Sequence, residues 1–295
     1  MWRRALLPLA LLLLPAASLS ACAASSSDGE VVASFYPLQY VAERIVGDHA
    51  KVTNLTAPGI EPHDLELSPR QAARVSGASV VFYEKGLQPA VDEAVRNDGP
   101  EHVVDAAKAV KLRDAEEGGE GGGVDPHFWL DPTLLAQAAD AFTEQMSEAD
   151  PDHKADFVAG NAKLQADLAA LDEDFKAGLK DCTTRTVVVS HDAFEYLGAR
   201  YGLDMHPIAG LSPDAEPSAR HLAELADLIR TDKITTVFSE RLASPKLADT
   251  LASDLGITTE VLDPIEGLAS AKSDDDYLSL MRENLEALRK AGGCS

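Results

Sequence analysis

Three histidines of the sequence have settings that suit metal binding. His63 lies in PGIEPHDLEL, His127 in VDPHFWLDP and His191 in VVVSHDAFEYLG, each beside a turn residue at the end of a strand-like run. Open α/β folds collect their ligands at the carboxyl ends of strands, and neutral imidazole is the commonest protein ligand of metals. A single histidine of this kind is more often an ordinary hydrogen-bonded residue. The three therefore matter only if the fold brings them together.

Two acidic residues occupy equivalent positions in the second half of the chain. Glu240 lies in VFSER and Asp263 in EVLDP, each at the end of a strand-like run. If the two halves of the chain face each other, these carboxylates and the three histidines converge on one cleft. The other histidines are expected to have no role in a site, because they lie in hydrophilic turns, in helices or beside a strand-ending proline: His49, His102, His153, His206 and His221.

Strand-like and helix-like patterns alternate along the chain. Runs rich in β-branched and aromatic residues cover 31–36, 51–57, 79–85 and 101–107 in the first half, and 186–190, 203–209, 234–240 and 257–263 in the second. Helical patterns at 38–47, 68–76 and 89–97 separate the first four runs. This alternation predicts mostly parallel sheets covered by helices. We therefore expect an α/β protein with two Rossmann-like lobes, residues 31–149 and 182–295.

One long amphipathic helix is predicted between the lobes, within residues 150–181. Asp150 can cap its start, and Pro151 suits a first helical turn. A stripe of mostly apolar residues then recurs at intervals of three or four: Phe157, Asn161, Leu164, Leu168, Leu171, Phe175 and Leu179. Such a helix can cross the back of both lobes and limit how far they hinge. Gly160 favours the alternative, two shorter helices with a break.

The first residues have the layout of a secretory signal. A basic start at Arg3 and Arg4 precedes an apolar run and then small residues, and the run is too short for a comfortable membrane span. Residues 1–21 are therefore predicted to be a signal peptide. The stretch LSAC, which ends at Cys22, resembles the lipobox of bacterial lipoproteins, with an ordinary cleavage site as the alternative. Residues 22–30 are predicted to be a lipid-anchored, flexible tether.

The chain is acidic, with a formal net charge of −23. Loss of the signal removes two arginines and no acid, so the charge becomes −25. This balance argues against nucleic acid and anionic lipid as partners, since both repel a strongly negative protein. Small cations are compatible ligands, although acidity often reflects only solubility or a saline habitat. The stretch EEGGEGGG at residues 116–123 is predicted to be a solvated, mobile connector.

Two cysteines remain after Cys22, and an even pair in an exported chain indicates one disulfide. Cys182 lies just before a predicted strand and Cys294 is next to last in the chain. A bridge between them would pin the C-terminal tail to the second lobe. In the loop-entropy account it could stabilise the fold by roughly 4 to 5 kcal/mol at best. Two unpaired thiols are the alternative.

Five motifs, taken in order, resemble the cluster A-I type of metal-binding solute receptors of ABC transporters, specifically its zinc-binding members. They are PGIEPHDLELSPRQ, DPHFWLDP, VVSHDAFEYLGARYGL, GLSPDAEPS and LDPIEGL. The resemblance runs from about residue 31 to the end of the chain. It implies two α/β lobes joined by a long backbone helix, with the metal in the cleft between them.

The resemblance implies a ligand set of His63, His127, His191 and Asp263. Manganese-binding relatives usually carry glutamate at the position of His191, so histidine there favours Zn²⁺ over Mn²⁺. Three nitrogens and one oxygen suit four-coordinate Zn²⁺, whereas Mn²⁺ prefers oxygen ligands. Some relatives use a glutamate directly before the first histidine as fourth ligand. Here Pro62 intervenes, so Asp263 is preferred to Glu61.

Further acidic residues could support these ligands or replace one of them, namely Glu61, Asp64, Glu66 and Glu240. Asp64 and Glu66 are candidates to accept the second ring N–H of His63, or plain surface acids in the alternative. Pro62 should stiffen the chain in front of His63, so that the imidazole is held on a rigid backbone. Zinc-binding relatives often have a histidine-rich loop at residues 116–124, and the absence of histidine there puts that loop's metal-gathering role in doubt.

The resemblance implies a monomeric, extracytoplasmic lipoprotein, not an enzyme, that captures Zn²⁺ and delivers it to an ABC permease. Three alternatives stay open at this point. One is a manganese or iron receptor of the same fold, and another is an adhesin-like lipoprotein with a structural metal. The third is a zinc hydrolase that uses Glu240 as general base, against which the chain offers a fourth carboxylate ligand and lacks an HExxH motif.

Overall fold

The computed structural model describes Trp2 and residues 29–114 and 123–295. Most of the predicted signal peptide and tether, including Cys22, and most of the Glu/Gly stretch lie outside these residues. The described chain contains two α/β lobes joined by one long helix, which confirms the predicted fold class. Across the described ranges, no helix is both long enough and apolar enough to span a bilayer.

The N-terminal lobe is built on a four-stranded parallel sheet of order β2-β1-β3-β4. Its strands are β1 (Glu30–Ala33), β2 (Lys51–Asn54), β3 (Val80–Tyr83) and β4 (His102–Asp105). Its helices are α1 (Tyr36–Val46), α2 (Pro69–Gly77), α3 (Pro89–Asp98), α4 (Ala106–Ala109) and α5 (Pro132–Ala149). A short antiparallel pair, β5 (Arg113–Asp114) and β6 (Val124–Asp125), precedes α5. Every residue of β3 is buried, as expected of an apolar central strand with helices on both faces.

The C-terminal lobe repeats this design with a parallel sheet of order β10-β9-β7-β8. Its strands are β7 (Thr186–Val189), β8 (Asp204–Pro207), β9 (Thr236–Ser239) and β10 (Thr258–Val261). Its helices are α7 (Glu195–Tyr201), α8 (Ala219–Asp232), α9 (Lys246–Leu255) and α10 (Tyr277–Gly292). Each of the eight predicted strand runs overlaps one strand of the two four-stranded sheets, and only β1 begins before its run, by one residue.

The helix between the lobes, α6 (Lys154–Gly178), is continuous over 25 residues. All seven residues of the predicted stripe are buried. The helix begins later than predicted, because Pro151–His153 form a 3-10 turn. There the Asp150 carboxylate accepts a hydrogen bond from His153 Nδ1 at 2.7 Å and does not cap the α-helix.

Gly160 permits a close helix contact and does not break α6. A Cβ atom at this position would lie 2.6 Å from the carbonyl oxygen of Ile45 and 2.9 Å from that of Arg44. Only glycine therefore lets the backbones of α1 and α6 approach this closely.

The largest hydrophobic core joins both lobes and α6. It contains Phe35 and Phe82 from the N-terminal lobe, Leu168 from α6, and Phe238 and Met281 from the C-terminal lobe. Two smaller clusters cover the other faces of the two sheets. Because one core spans the lobes, large hinge motion would expose apolar side chains.

The predicted disulfide between Cys182 and Cys294 is present and closes a sequence separation of 112 residues. Backbone hydrogen bonds run beside it, from the amides of Thr183 and Thr184 to the carbonyl oxygen of Gly292. The C-terminal end of α10 is thereby attached to the start of the second lobe, as the sequence predicts.

Candidate metal centre

Four side chains from the two lobes meet around one point, with donor atoms that all lie within 4.8 Å of one another: His63, His127, His191 and Glu266. Glu266 Oε1 lies 3.3 Å from His63 Nε2, 3.3 Å from His127 Nε2 and 3.4 Å from His191 Nε2. The Nε2 atoms of His63 and His127 are 3.4 Å apart. One carboxylate oxygen thus faces three imidazole nitrogens.

These separations match the shell of a small tetrahedral ion. A tetrahedral site with bonds of about 2.0–2.1 Å places neighbouring donor atoms about 3.3–3.4 Å apart. Four of the six donor–donor edges are 3.3, 3.3, 3.4 and 3.4 Å, and all six lie within 4.8 Å. His191 Nε2 is buried and makes no hydrogen bond within the described part of the chain. Once deprotonated, this nitrogen can therefore bind a ligand without breaking another hydrogen bond.

Strand ends position each of the four residues. His63 follows β2 and His127 follows β6 in the N-terminal lobe, while His191 follows β7 and Glu266 follows β10 in the C-terminal lobe. Each lobe contributes two donors, so the lobes must face each other for the group to form. The side chains of His127 and His191 are 0% exposed, and that of His63 is 13% exposed. The open side of the site is therefore the side of His63.

Carboxylates behind two of the imidazoles orient them. Asp125 Oδ1 lies 2.7 Å from His127 Nδ1 and also accepts the backbone N–H of His127. Glu240 Oε1 lies 2.5 Å from His191 Nδ1 and accepts the hydroxyl of Ser190. A proton held on Nδ1 by such a carboxylate leaves the Nε2 lone pair for a metal and raises its basicity. Glu240 therefore supports His191 and is not itself one of the four donors.

The stretch in front of His63 is held by contacts across the cleft. Gly59 has φ +83°, and its N–H donates to the carbonyl oxygen of Leu268 in the other lobe at 2.7 Å. Glu61 Oε2 accepts the backbone N–H of His63 at 2.9 Å. Pro62 between them is buried. Glu61 is thus a backbone support for His63 and is absent from the donor group.

The two acids that follow His63 do not enter the site. Asp64 and Glu66 are both exposed at the surface, and neither belongs to the donor group. The polar partners of the His63 ring are instead Glu266 and His127.

The charges of the site are strongly coupled. Burial alone would raise the pKa of Glu266, but the close contacts with His127, His191 and His63 hold it well below its ordinary value. Burial would lower the pKa of His191, yet the Glu240 carboxylate raises it to about 10. Burial and the neighbouring Glu266 raise the pKa of Glu61 to about 9. In the metal-free protein the site therefore holds protons that a cation must displace.

Asp263, which the sequence predicts as the fourth ligand, lies outside the donor group. Its Oδ2 forms an ion pair with Arg241 Nε at 2.9 Å, and its Oδ1 accepts the backbone N–H of Ile265 at 2.9 Å. Both carboxylate oxygens are therefore engaged away from the histidines. Glu266, three residues later, belongs to the group instead.

Sequence reasoning missed two residues of this arrangement, Glu266 and Asp125. Both stand inside motifs that resemble the family, Glu266 in LDPIEGL and Asp125 in VDPHFWLDP. A carboxylate two residues before a candidate histidine is a local signal that could have identified Asp125. No comparable signal distinguishes Glu266 from Asp263, because the choice depends on how the intervening turn is folded.

The turn that carries Glu266 is fixed by both lobes. Asn284 of α10 donates to the backbone carbonyl oxygen of Asp263 at 2.6 Å and accepts its N–H at 2.8 Å. Trp129 of the N-terminal lobe donates from Nε1 to the carbonyl oxygen of Pro264 at 2.7 Å. The fourth donor is thus held on a rigid backbone.

Comparison with known proteins identifies relatives of this arrangement. The sequence model of the family described as ZnuA, zinc-uptake complex component A, periplasmic, matches residues 31–291. The chain is 34% identical over 294 residues to the high-affinity zinc uptake system protein ZnuA of Bacillus subtilis, with 92% of each chain covered. It is also 34% identical over 281 residues to the zinc-binding lipoprotein AdcA of Streptococcus pneumoniae, where it spans 56% of the relative's length.

Solved structures share the fold. The laminin binding protein Lmb of Streptococcus agalactiae, described as an adhesin with metal transporting activity, superposes with a TM-score of 0.81 at 28% identity, covering 89% of this chain and 99% of that one. The Zn(II)-bound ZnuA-like domain of Streptococcus pneumoniae AdcA has a TM-score of 0.77 at 33% identity, covering 90% and 98%.

Proposed function

Since this chain belongs to the zinc-uptake complex component A family, we propose that it binds one Zn²⁺ ion between its lobes and delivers it to an ABC permease. The proposed ligands are His63, His127, His191 and Glu266. The observation that carries the proposal is the position of Glu266 Oε1, 3.3–3.4 Å from three imidazole Nε2 atoms. That spacing suits a tetrahedral zinc shell with three nitrogen donors and one oxygen.

The same donor set favours zinc over manganese or iron. Mn²⁺ prefers several oxygen ligands and a higher coordination number, whereas this group offers a single carboxylate. Thermal unfolding with either metal should separate the two. A ligand that binds the native state more tightly raises the melting temperature more at equal concentration, so Zn²⁺ is expected to exceed Mn²⁺. A larger shift with Mn²⁺ would reverse the assignment.

A receptor role is favoured over a hydrolase role. The general base that a hydrolase would need, Glu240, is bound to His191 Nδ1 and to the Ser190 hydroxyl. A fourth protein donor also occupies the position that a catalytic zinc keeps open for water. The protein is therefore proposed to bind and release its ion unchanged.

We further propose an extracytoplasmic location with lipidation at Cys22. The family description names a periplasmic component, and the relative AdcA is named a lipoprotein. Cys22 and the tether to residue 30 would then attach the receptor to the membrane that holds its permease. Metabolic labelling with a fatty acid, compared between the natural chain and Cys22→Ser, tests this anchor. Equal labelling of both chains would exclude Cys22 as the lipidated residue.

The ligand assignment is tested by metal analysis of protein purified without added metal. The natural chain is expected to contain about one zinc per chain, and His191→Ala is expected to lose it. The circular dichroism spectrum should stay unchanged, because the variant alters one side chain at the cleft. His206→Ala is a matched control in the same lobe, since His206 pairs with Asp204 away from the donor group. Full zinc content in His191→Ala would contradict the proposal.

An adhesin-like protein with a structural metal predicts a different result. Removal of that metal would unfold a lobe, because the ion would hold the fold together. A transport receptor should keep its fold when it is empty, since one hydrophobic core already joins the lobes. Circular dichroism of chelator-treated protein therefore distinguishes the two functions.

A further inference from the structure

The turn from Asp263 to Glu266 contains an unusual backbone conformation. Ile265 has φ +57° and is fully buried. A β-branched residue rarely adopts a positive φ, because its side chain crowds the neighbouring carbonyl group. Such strain persists only where surrounding contacts hold it, and it is concentrated at functional sites. The residue that follows Ile265 is the proposed ligand Glu266.

One carboxylate holds this conformation from inside the turn. Asp263 Oδ1 accepts the N–H of Ile265 at 2.9 Å, while Oδ2 forms the ion pair with Arg241 Nε at 2.9 Å. The side chain of Asp263 is only 4% exposed, and Arg241 also pairs with Glu283. The ion pair fixes where the carboxylate points, and the carboxylate fixes the amide of the strained residue.

Arg241 also connects the two donors of the C-terminal lobe. It directly follows Glu240, which holds the ring of His191. At the end of β9, Glu240 thus orients the ring of His191. The next residue, Arg241, pairs with Asp263 in the turn that carries Glu266. A displacement of this strand end would disturb both donors together.

We propose that Asp263 is a positioning residue that places the Glu266 carboxylate in the metal site through the Ile265 amide, an inference that rests on the proposed zinc-binding function. When the Asp263 carboxylate is absent, the strained conformation of Ile265 loses its internal support and the turn relaxes. Glu266 then moves away from the three imidazoles, and a weaker ligand such as water replaces it. The ion leaves faster, although no ligand has been removed.

The test is a double-mutant cycle on the intact chain with Asp263→Ala, Glu266→Ala and the double variant. Two quantities are measured: the rate at which Zn²⁺ is lost to an excess of chelator, and the visible absorption spectrum of the Co²⁺-loaded protein, which reports coordination geometry. Asp263→Ala is expected to speed zinc release by about tenfold to a hundredfold, the usual effect of losing a residue that orients a ligand. Its Co²⁺ spectrum should approach that of Glu266→Ala.

The double variant distinguishes positioning from general stability. If Asp263 acts through Glu266, its loss adds little once Glu266 is gone, so the two effects are strongly non-additive. Additive effects on zinc release, or a wild-type Co²⁺ spectrum for Asp263→Ala, would overturn the proposal. Glu286→Gln is the matched control, because it changes an exposed carboxylate of α10 that pairs with Arg289 and not with Arg241, and it is expected to leave both measurements unchanged.

Two further comparisons keep the outcome clear. If Asp263→Ala does not fold, Asp263→Asn decides, since its amide oxygen can accept the Ile265 N–H but cannot pair with Arg241 as an ion. It is expected to release zinc severalfold faster, and a wild-type rate would overturn the proposal.

If the natural chain fails to bind zinc, the proposed function itself is wrong. If it binds and Glu266→Ala weakens binding while Asp263→Ala does not, only the positioning role fails.

Discussion

At the scale of single residues, the donor group depends on side chains that lie outside it. Asp125 and Glu240 hold the far nitrogens of His127 and His191, so each imidazole presents one defined lone pair. The third imidazole, His63, is held instead through its backbone by Glu61. The two buried imidazoles thus each have a carboxylate at Nδ1, whereas the support of His63 comes through its backbone.

The substitution Glu240→Gln should weaken zinc binding about tenfold to a hundredfold. A neutral amide can still accept the His191 Nδ1–H, but it no longer raises the basicity of the ring as a carboxylate does. Competition with a chromophoric chelator measures the affinity. Asp204→Asn, which changes the carboxylate beside His206 at the surface, is the control and should leave the affinity unchanged. Equal affinities for both variants would show that Glu240 does not tune the ligand.

Zinc binding should release protons and weaken on acidification. Glu240 raises the pKa of His191 to about 10 from the ordinary 6.5, so at a pH of about 7.5 the metal-free imidazole holds a proton that the ion must displace. The affinity should therefore increase as pH rises toward 10, by about tenfold per unit for each proton displaced. Calorimetry in buffers of different ionisation enthalpy measures the number released. Identical heats in all buffers would contradict this expectation.

At the scale of elements, α6 and the two sheets fulfil different tasks. The sheets present donors at their carboxyl ends, and α6 joins the lobes through a continuous buried stripe. The helix α6 lies close to α1 at Gly160, where a side chain would meet backbone atoms of Arg44 and Ile45. Backbone cannot rotate away as a flexible side chain does, so this contact tolerates no added atom.

Gly160→Ala should destabilise the fold by about 1–3 kcal/mol, because the added methyl group forces α1 and α6 apart. Urea unfolding followed by circular dichroism measures the change. Gly77→Ala is the matched control, since Gly77 ends α2 and a Cβ there would meet nothing within 4 Å. It is expected to be neutral or slightly stabilising. Equal stabilities of the two variants would show that the helices adjust without cost.

At the scale of the whole molecule, the lobes behave as two halves of one packed body. One hydrophobic core spans both lobes and α6. Polar contacts cross the cleft beside the metal site, from Trp129 to Pro264 and from Gly59 to Leu268. Opening of the cleft would break these hydrogen bonds. The free energy that opening requires therefore depends partly on contacts beside the donor group.

Replacing both bridged cysteines by serine should lower the free energy of unfolding by at most about 4–5 kcal/mol, as expected for loss of a closure of this length. Zinc stoichiometry should not change, because Cys182 lies before the amino end of β7 and His191 follows its carboxyl end. Urea unfolding and metal analysis of the same samples measure both quantities. Loss of zinc from a folded double variant would reveal a coupling between the bridge and the site.

The sequence by itself determined the elements and most of the donors. Periodic apolar residues predicted α6 and its buried face, and short β-branched runs predicted all eight strands of the two parallel sheets. These features depend on local patterning, which needs no knowledge of distant contacts. The pattern of the chain placed each histidine near a strand end, but the resemblance to metal-binding receptors was needed to group the three as ligands, because local patterning does not show that the two lobes face each other.

Only the tertiary structure decided between Asp263 and Glu266. The two carboxylates stand three residues apart in one motif, and each is chemically able to bind zinc. Arg241, which precedes Asp263 by a whole helix and strand, draws that carboxylate into an ion pair, and the positive φ of Ile265 turns Glu266 toward the histidines. One cause is a non-local contact and the other is a strained backbone, and neither leaves a periodic signal in the sequence.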